Sequence, residues 1–257
     1  MHRASAWTIR AFALALVFTI PVTNSDATTA IALRSRYRIV LAADSRVVSS
    51  LQGRLTECKL FQVGDVYATA SGVVRYGSKY RTTDAIRDGF SRPGDFQSHI
   101  SATAFYLQRR VRGFLADLQH KDPGEYLSLM RTASAPSDFV ELAVAQSVNG
   151  QPMLGIIELQ RSPGDVLTSR TSICPGNCGH NDGIFYLGYW ERIKPYVEDD
   201  GRPRTVGSAA SIDRLIRIEM HAHPDTVGAP INILELTGSG ARWLQNGGNC
   251  SLPGVGW

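Results

Sequence analysis

Apolar residues along this chain repeat with two different periods, and each period predicts a different element. Over residues 100–118 the apolar positions are spaced by three and four, which predicts one face of a helix of about 20 residues. A less regular helix is predicted over residues 76–90, because Arg92, Pro93 and Gly94 then stop it. Residues 211–220 predict a final helix.

Short apolar runs bounded by turn residues predict the strands. The runs are 28–33, 39–43, 60–63, 66–70, 139–147, 153–159 and 231–236. Gly64-Asp65 and Asn149-Gly150 separate two pairs of them, and Asn149-Gly150 is the clearest hairpin signal in the chain. This order of strands and helices favours one layered α+β domain, followed by a polar, glycine-rich tail over 237–257.

The first 27 residues have the pattern of a secretory signal peptide. Two arginines precede an apolar run of 12 residues at 11–22, too short for the roughly 20 residues that span a bilayer. Ser25 and Ala27 are small residues at the third and first positions before Thr28, as signal peptidase requires. We expect cleavage after Ala27, with an uncleaved anchor as the weaker alternative, and a secreted or periplasmic chain without further membrane segments.

Cleavage at this point would give Thr28 a free amino terminus. A threonine there has a hydroxyl that can attack a carbonyl and an α-amine, of pKa about 7.7–8.0, that can take up the proton. An ordinary threonine in a first strand is the alternative interpretation of the same residue.

Composition narrows the function classes. Removing 27 residues from 257 leaves 230, which suits one domain. The formal net charge is +4, and subtracting the +1 contributed within residues 1–27 leaves +3. The basic residues are scattered apart from Arg34, Arg36 and Arg38, which we interpret as a solvated turn rather than a nucleic-acid site.

Four cysteines in an exported chain predict one or two disulfides, and three full pairings are open. Cys174 and Cys178 are close enough in sequence for a local bridge across Pro-Gly-Asn. His180 raises a metal site as an alternative, which we disfavour because structural zinc needs four well-spaced ligands. His221 and His223 are interpreted as surface or packing residues, and neither a metal nor a cofactor is predicted.

Four segments resemble the β-type subunits of the proteasome and related bacterial peptidase subunits, which are N-terminal-nucleophile hydrolases. They are TTAIA at 28–32, VLAADSR at 40–46, TECKL at 56–60 and TASG at 69–72. The hairpin at Asn149-Gly150 and residues 227–231 match more loosely. The resemblance implies a four-layer αββα sandwich over 28–236, with two central antiparallel sheets flanked by helices.

The resemblance also implies catalytic roles. Thr28 would be the nucleophile and Lys59 the nearby cation, with Asp44 holding Lys59 charged and oriented. Gly72 would donate its N–H to the oxyanion, a contact that can lower the barrier by about 3–4 kcal/mol. The chain departs from the family where serines normally steady the amine, because Tyr189 and Val227 replace them.

Asp225 and Thr226 could substitute for those serines after a local shift of the chain. The leading function is therefore an exported threonine hydrolase that cleaves amide bonds, most simply peptide bonds. A small-amide amidase and a catalytically weak or inactive structural or binding relative stay open. A peptide or amide substrate and a homo-oligomer are the expected partners, and processing before Thr28 is by signal peptidase or self-cleavage.

Overall fold

The computed structural model describes residues 28–49, 53–76, 79–132, 139–162, 166–178, 183–198, 207–248 and 250. The predicted signal peptide and its last residue, Ala27, therefore lie outside the described residues, as does His180. No helix within the described ranges is long and apolar enough to cross a membrane.

Within those ranges the chain forms helices and antiparallel strands. The helices are α1 (Thr82–Phe90), α2 (Phe96–Lys121), α3 (Pro123–Thr132), α4 (Ile193–Glu198) and α5 (Ala209–Ala222). The strands are β1 (Thr29–Ser35), β2 (Arg38–Ala43), β3 (Arg46–Ser49), β4 (Gly53–Thr56), β5 (Leu60–Val63), β6 (Val66–Gly72), β7 (Arg75–Tyr76), β8 (Tyr80–Arg81), β9 (Val140–Val148), β10 (Gln151–Ser162), β11 (Val166–Cys174), β12 (Gly183–Gly188), β13 (Asn232–Thr237) and β14 (Gly240–Gln245).

Two five-stranded antiparallel sheets organise the fold. The first sheet has the order β12-β1-β2-β13-β14, and the second has the order β11-β10-β9-β6-β5. The predicted hairpins β1–β2, β5–β6 and β9–β10 all form. Asn149 and Gly150 both have positive φ angles, 52° and 79°, as a two-residue type I′ hairpin turn requires.

Both faces of the first sheet are buried, because side chains alternate between the faces along each strand. On one face, Ala30, Ala32 and residues of β2 pack in a cluster with residues of the second sheet, such as Ala143 and Leu154. On the other face, Ile31 packs in a cluster with residues of α4 and α5. The other side of the second sheet forms a third cluster with α1, α2 and α3.

Several elements differ from the sequence predictions. Helix α1 begins at Thr82 rather than near residue 76, because β7 and β8 pair with each other before it. Helix α2 is longer than predicted, with 26 residues, and begins where the Asp95 side chain accepts a hydrogen bond from the Ser98 N–H at 2.8 Å. The sequence predictions do not include helices α3 and α4 or strands β3, β4, β7, β8, β11, β12 and β14.

Two specific expectations are wrong. The predicted polar tail contains β14, which pairs with β13 at the edge of the first sheet. Arg34 is not part of a solvated turn, since it lies within β1 and is only 3% exposed. The turn itself is shorter than predicted, and Arg36 and Tyr37 are its exposed residues.

Candidate active site

Thr28 lies immediately before β1 and is only 2% exposed. It lines a cavity of about 110 Å³ together with residues that follow β4 and precede α1, among them Lys59. The Thr28 carbonyl oxygen accepts a hydrogen bond from the Tyr189 N–H at 2.9 Å. The predicted nucleophile is therefore held at a concave surface beside the predicted cation.

Asp44 is the centre of the polar network at this end of the first sheet. It follows β2, is fully buried and receives two donors on each carboxylate oxygen. Oδ1 accepts from the Thr29 N–H at 3.1 Å and from Lys59 Nζ at 2.9 Å. Oδ2 accepts from the N–H groups of Arg46 at 3.1 Å and Gly228 at 3.0 Å. Four donors fix the position of this buried carboxylate.

Lys59 precedes β5, and its side chain is 8% exposed. Its ion pair with Asp44 is consequently shielded from solvent, and removal of either partner would leave a buried charge. Next to it, Cys58 forms a disulfide with Cys250 across a Cα–Cα distance of 5.0 Å. That bond ties the segment carrying Lys59 to the end of the described chain.

Gly72 ends β6 with a φ angle of 81°, and a Cβ there would lie 2.4 Å from the Phe139 carbonyl oxygen. Only glycine fits both conditions. The Val73 N–H donates to the Phe139 oxygen at 3.0 Å, so Gly72 and Val140 form a non-hydrogen-bonded pair. The Gly72 N–H therefore points away from β9, toward the side on which β5 and Lys59 lie.

Gly188 and Tyr189 close the other side of Thr28. Gly188 has a φ angle of 76°, and a Cβ there would lie 1.8 Å from the Thr28 carbonyl oxygen. The Tyr189 carbonyl accepts a hydrogen bond from the Thr29 hydroxyl at 3.0 Å. The Tyr189 ring stacks on His223 at 4.4 Å between centroids. Tyr189 thus supports Thr28 through its backbone, while its ring packs on the end of α5.

The predicted supporting pair lies in a turn after α5. Asp225 is exposed, and Thr226 donates from both its N–H and its hydroxyl to the His223 carbonyl, at 3.1 and 3.5 Å. Val227, at the position where the family has a serine, is buried. Arg46 holds this turn through the carbonyl oxygens of residues 224 and 227.

Glu141 is a site residue that the sequence reasoning missed. Its carboxylate, in β9, accepts from the Ser71 hydroxyl at 2.6 Å and the Gly188 N–H at 2.5 Å. It therefore ties β6 to the end of β12, next to Thr28. The sequence could have indicated this role, because Glu141 is the single acidic residue in the apolar run 139–147 and a buried acidic residue usually has a partner.

The four cysteines form two disulfides, Cys58–Cys250 and Cys174–Cys178. The local bridge is among the sequence expectations. Because both sulfurs of Cys174 and Cys178 are used in that bond, neither is available as a thiolate ligand for the alternative metal site.

No protein-family profile and no curated protein matches the chain. Solved structures do match. The Anbu (Gly-1) mutant from Hyphomicrobium sp. strain MC1 is 15% identical, with a TM-score of 0.53, over 84% of this chain and 87% of that chain. The fold is proteasome-like.

A second solved structure, Anbu (ancestral beta-subunit) from Yersinia bercovieri, is 14% identical with a TM-score of 0.48. It covers 84% of this chain and 86% of that chain. Identities this low concern the fold and leave activity to be argued from the site. The mixed α/β architecture with antiparallel sheets agrees with the fold predicted from the sequence at this coarser level.

Proposed function

We propose that this protein is an exported N-terminal-threonine hydrolase that cleaves amide bonds, and peptide bonds in particular. The observation that carries the proposal is the Asp44 carboxylate. One of its oxygens binds both the Thr29 N–H and the Lys59 ammonium, directly beside Thr28 at the cavity. A buried, fixed cation next to a threonine is suited to activating that threonine as a nucleophile.

The reaction begins once processing after Ala27 has freed the Thr28 amine. The Thr28 hydroxyl oxygen bonds to the amide carbonyl carbon, and its proton passes to the α-amine directly or through a water. The resulting oxyanion accepts a hydrogen bond from the Gly72 N–H. When the intermediate collapses, the carbon–nitrogen bond breaks and the ammonium returns its proton to the leaving amine.

The second half releases the acyl group. A water molecule, deprotonated by the same α-amine, attacks the ester formed on Thr28. Collapse breaks the ester bond, frees the carboxylic acid and restores the threonine hydroxyl. Lys59 favours the neutral amine that both halves require, because a nearby positive charge disfavours a second one. Asp44 keeps Lys59 in place.

The same proposal includes the four-layer αββα arrangement for the domain from residue 28 onward. It is supported by the three hydrophobic clusters, one between the sheets and one on each outer side with helices. Pairing of β14 with β13 extends this domain beyond the predicted boundary at residue 236. A proteasome-like fold is also compatible with a homo-oligomer, which light scattering would measure.

Export is supported by the sequence pattern of residues 1–27 and by the two disulfides, which persist in oxidising compartments. Signal peptidase would then create the terminus. Self-cleavage before Thr28 is the alternative route to the same terminus.

A binding relative without turnover is the second candidate function. It is favoured by Tyr189 and Val227, which stand where active members of the family have serines. The Tyr189 ring packs on His223, and the buried Val227 side chain has no hydroxyl to offer a free amine.

The experiment compares purified exported protein with its Thr28→Ala variant on a peptide library and on small acyl amides. We expect turnover that Thr28→Ala abolishes without unfolding the protein. Thr168→Ala, on the exposed side of β11, is the matched control and should keep full activity. Turnover that survives Thr28→Ala would overturn the proposal, and preference for acyl amides would identify the small-amide alternative.

A further inference from the structure

Glu219, in α5, is a fully buried carboxylate outside the network of Asp44. Its Oε1 accepts hydrogen bonds from the N–H groups of Arg192 at 2.6 Å and Ile193 at 3.0 Å, at the start of α4. Its buried Oε2 accepts no hydrogen bond from the residues that the structure describes. A buried carboxylate oxygen without a donor is costly, so this atom calls for an explanation.

Two further candidate ligand atoms lie near the Glu219 carboxylate. His223 follows one helical turn later, and its Nε2 lies 3.5 Å from Glu219 Oε2. Glu191, on the loop after β12, contributes a carboxylate oxygen from the solvent side. The three ligand atoms all lie within 4.8 Å of one another.

We propose that Glu191, Glu219 and His223 form a binding site for a divalent cation of the zinc type. Carboxylate oxygens and an imidazole nitrogen are donors that zinc accepts, usually in a tetrahedron. Zinc bonds to nitrogen and oxygen are about 2.0–2.2 Å long, which places neighbouring ligand atoms of a tetrahedron about 3.3–3.6 Å apart. The 3.5 Å between His223 Nε2 and Glu219 Oε2 fits this spacing. The two carboxylates offset the charge of the ion. Because Glu191 is exposed to solvent, a water molecule can take the fourth coordination position.

The ligands are held before an ion arrives. Two backbone N–H groups fix the Glu219 carboxylate, and stacking on Tyr189 fixes the plane of the His223 ring. The Trp190 N–H donates to Glu191 Oε2 at 3.0 Å and holds that side chain against its own loop. Magnesium and calcium suit the site poorly, because they prefer six or more oxygen ligands.

The site borders the segment that supports Thr28. The Tyr189 N–H donates to the Thr28 carbonyl. Tyr189 is two residues before Glu191 in the chain, and its ring stacks on His223. An ion joining Glu191 to His223 would therefore brace residues 188–191 against α5. This role concerns the shape of the site and does not depend on whether Thr28 is catalytic.

A His223 side chain that contacts Glu219 without any metal is the competing explanation, and metal titration separates the two. Protein without a histidine tag is stripped with a chelator and titrated with zinc chloride by calorimetry. We expect one saturable site per chain, with affinity reduced at least tenfold in Glu191→Gln and in His223→Ala.

Variants at exposed positions separate loss of zinc binding from loss of folding. Glu191 is exposed, so Glu191→Gln should fold even if the change at His223 does not. His221→Ala, an exposed histidine in the last turn of α5, is the matched control and should bind zinc normally. Absence of saturable binding, equal affinity in Glu191→Gln, or loss of binding in His221→Ala would overturn the metal site. Because the readout is zinc affinity, failure of the hydrolase proposal would leave this result unchanged.

Discussion

Asp44 and Glu219 are both fully buried carboxylates, but their surroundings differ in kind. Asp44 receives two donors on each oxygen, and all four come from the protein. Glu219 has two donors on one oxygen, and its other oxygen accepts no hydrogen bond from the described residues. The fold supplies donors to both oxygens of the first carboxylate, whereas one oxygen of the second is the atom at which we propose that a cation binds.

This difference separates two uses of a buried charge. A carboxylate with all its donors supplied by the chain fixes its neighbours, and here the neighbours are Lys59 and the residue after Thr28. A buried carboxylate with one oxygen that accepts no hydrogen bond is stabilised most by a cation that binds to that oxygen.

Replacing Asp44 with Asn should be the most damaging change. It removes the buried carboxylate that forms an ion pair with the Lys59 ammonium, and we expect a loss of about 3–5 kcal/mol in unfolding free energy. Turnover should fall on the order of 10²–10⁴-fold, since Lys59 is no longer held beside Thr28. Urea unfolding and steady-state rates measure the two effects. Asp84→Asn, which breaks the solvent-exposed Asp84–Arg87 pair, is the control and should cost at most about 1 kcal/mol.

Gly188→Ala tests how tightly the chain packs against Thr28. The new Cβ would lie 1.8 Å from the Thr28 carbonyl oxygen, so the backbone must move, and we expect a loss of about 3 kcal/mol. Gly150→Ala is the matched control, because its φ angle of 79° is similar but nothing lies within 4 Å of its Cβ position. That change should cost about 1–2 kcal/mol from backbone strain alone. Equal losses would show that the contact with Thr28 is absent.

Glu219→Gln should be much milder than Asp44→Asn when no metal is present. The amide oxygen can still accept from the N–H groups of Arg192 and Ile193, so we expect a loss of less than about 1.5 kcal/mol. At a zinc concentration 100 times the dissociation constant, the wild type should gain about 2.7 kcal/mol and the variant should not. A metal-free loss as large as that of Asp44→Asn would remove the distinction between the two carboxylates.

Glu235 provides the smallest effect and a pH dependence. Burial would raise the pKa of this carboxyl, but hydrogen bonds from Arg242 and Arg38 outweigh burial and hold the pKa below its ordinary value. The stabilisation is therefore complete above the unfolded pKa of about 4.3 and is lost as pH falls through the lower folded value. Because both arginines are partly exposed, we expect at most about 1 kcal/mol.

The measurement compares urea unfolding of the wild type and Glu235→Gln at neutral pH and near pH 3. The difference in unfolding free energy between the two proteins should shrink at the lower pH. A difference that grows on acidification would contradict the assigned direction of the pKa.

The sequence predicts the interior of the fold better than its borders. Strands β1, β2, β9 and β10 are predicted clearly because each is a run of buried apolar residues. The Asn149-Gly150 dipeptide predicts the hairpin between β9 and β10. Within the two five-stranded sheets, the strands that were missed are β11, β12 and β14, and all three lie at sheet edges. The short strands β3, β4, β7 and β8, which form two-stranded sheets, were missed as well. Edge strands bury less apolar surface and carry more polar residues, so their pattern is weak.

The candidate site divides in a similar way. The resemblance names Thr28, Asp44, Lys59 and Gly72, and the structure brings Thr28, Asp44 and Lys59 to one end of the first sheet, with the Gly72 N–H directed to the same side. Glu141 and Glu219 act across sequence separations of 70 and 27 residues, which no local pattern reports. The sequence predicts His223 as a surface or packing residue, and its closeness to Glu219 and Glu191 in the structure is what suggests a ligand.

The central claim is that Thr28 is a nucleophile with a free amine. A peptide α′,β′-epoxyketone tests both groups together, because its stable adduct requires bonds to the hydroxyl oxygen and to the amine. Intact mass and peptide mapping of the exported protein should show a chain that starts at Thr28 and one adduct on that residue, absent in Thr28→Ala. A chain that starts elsewhere, or one that starts at Thr28 and takes no adduct, would contradict the claim.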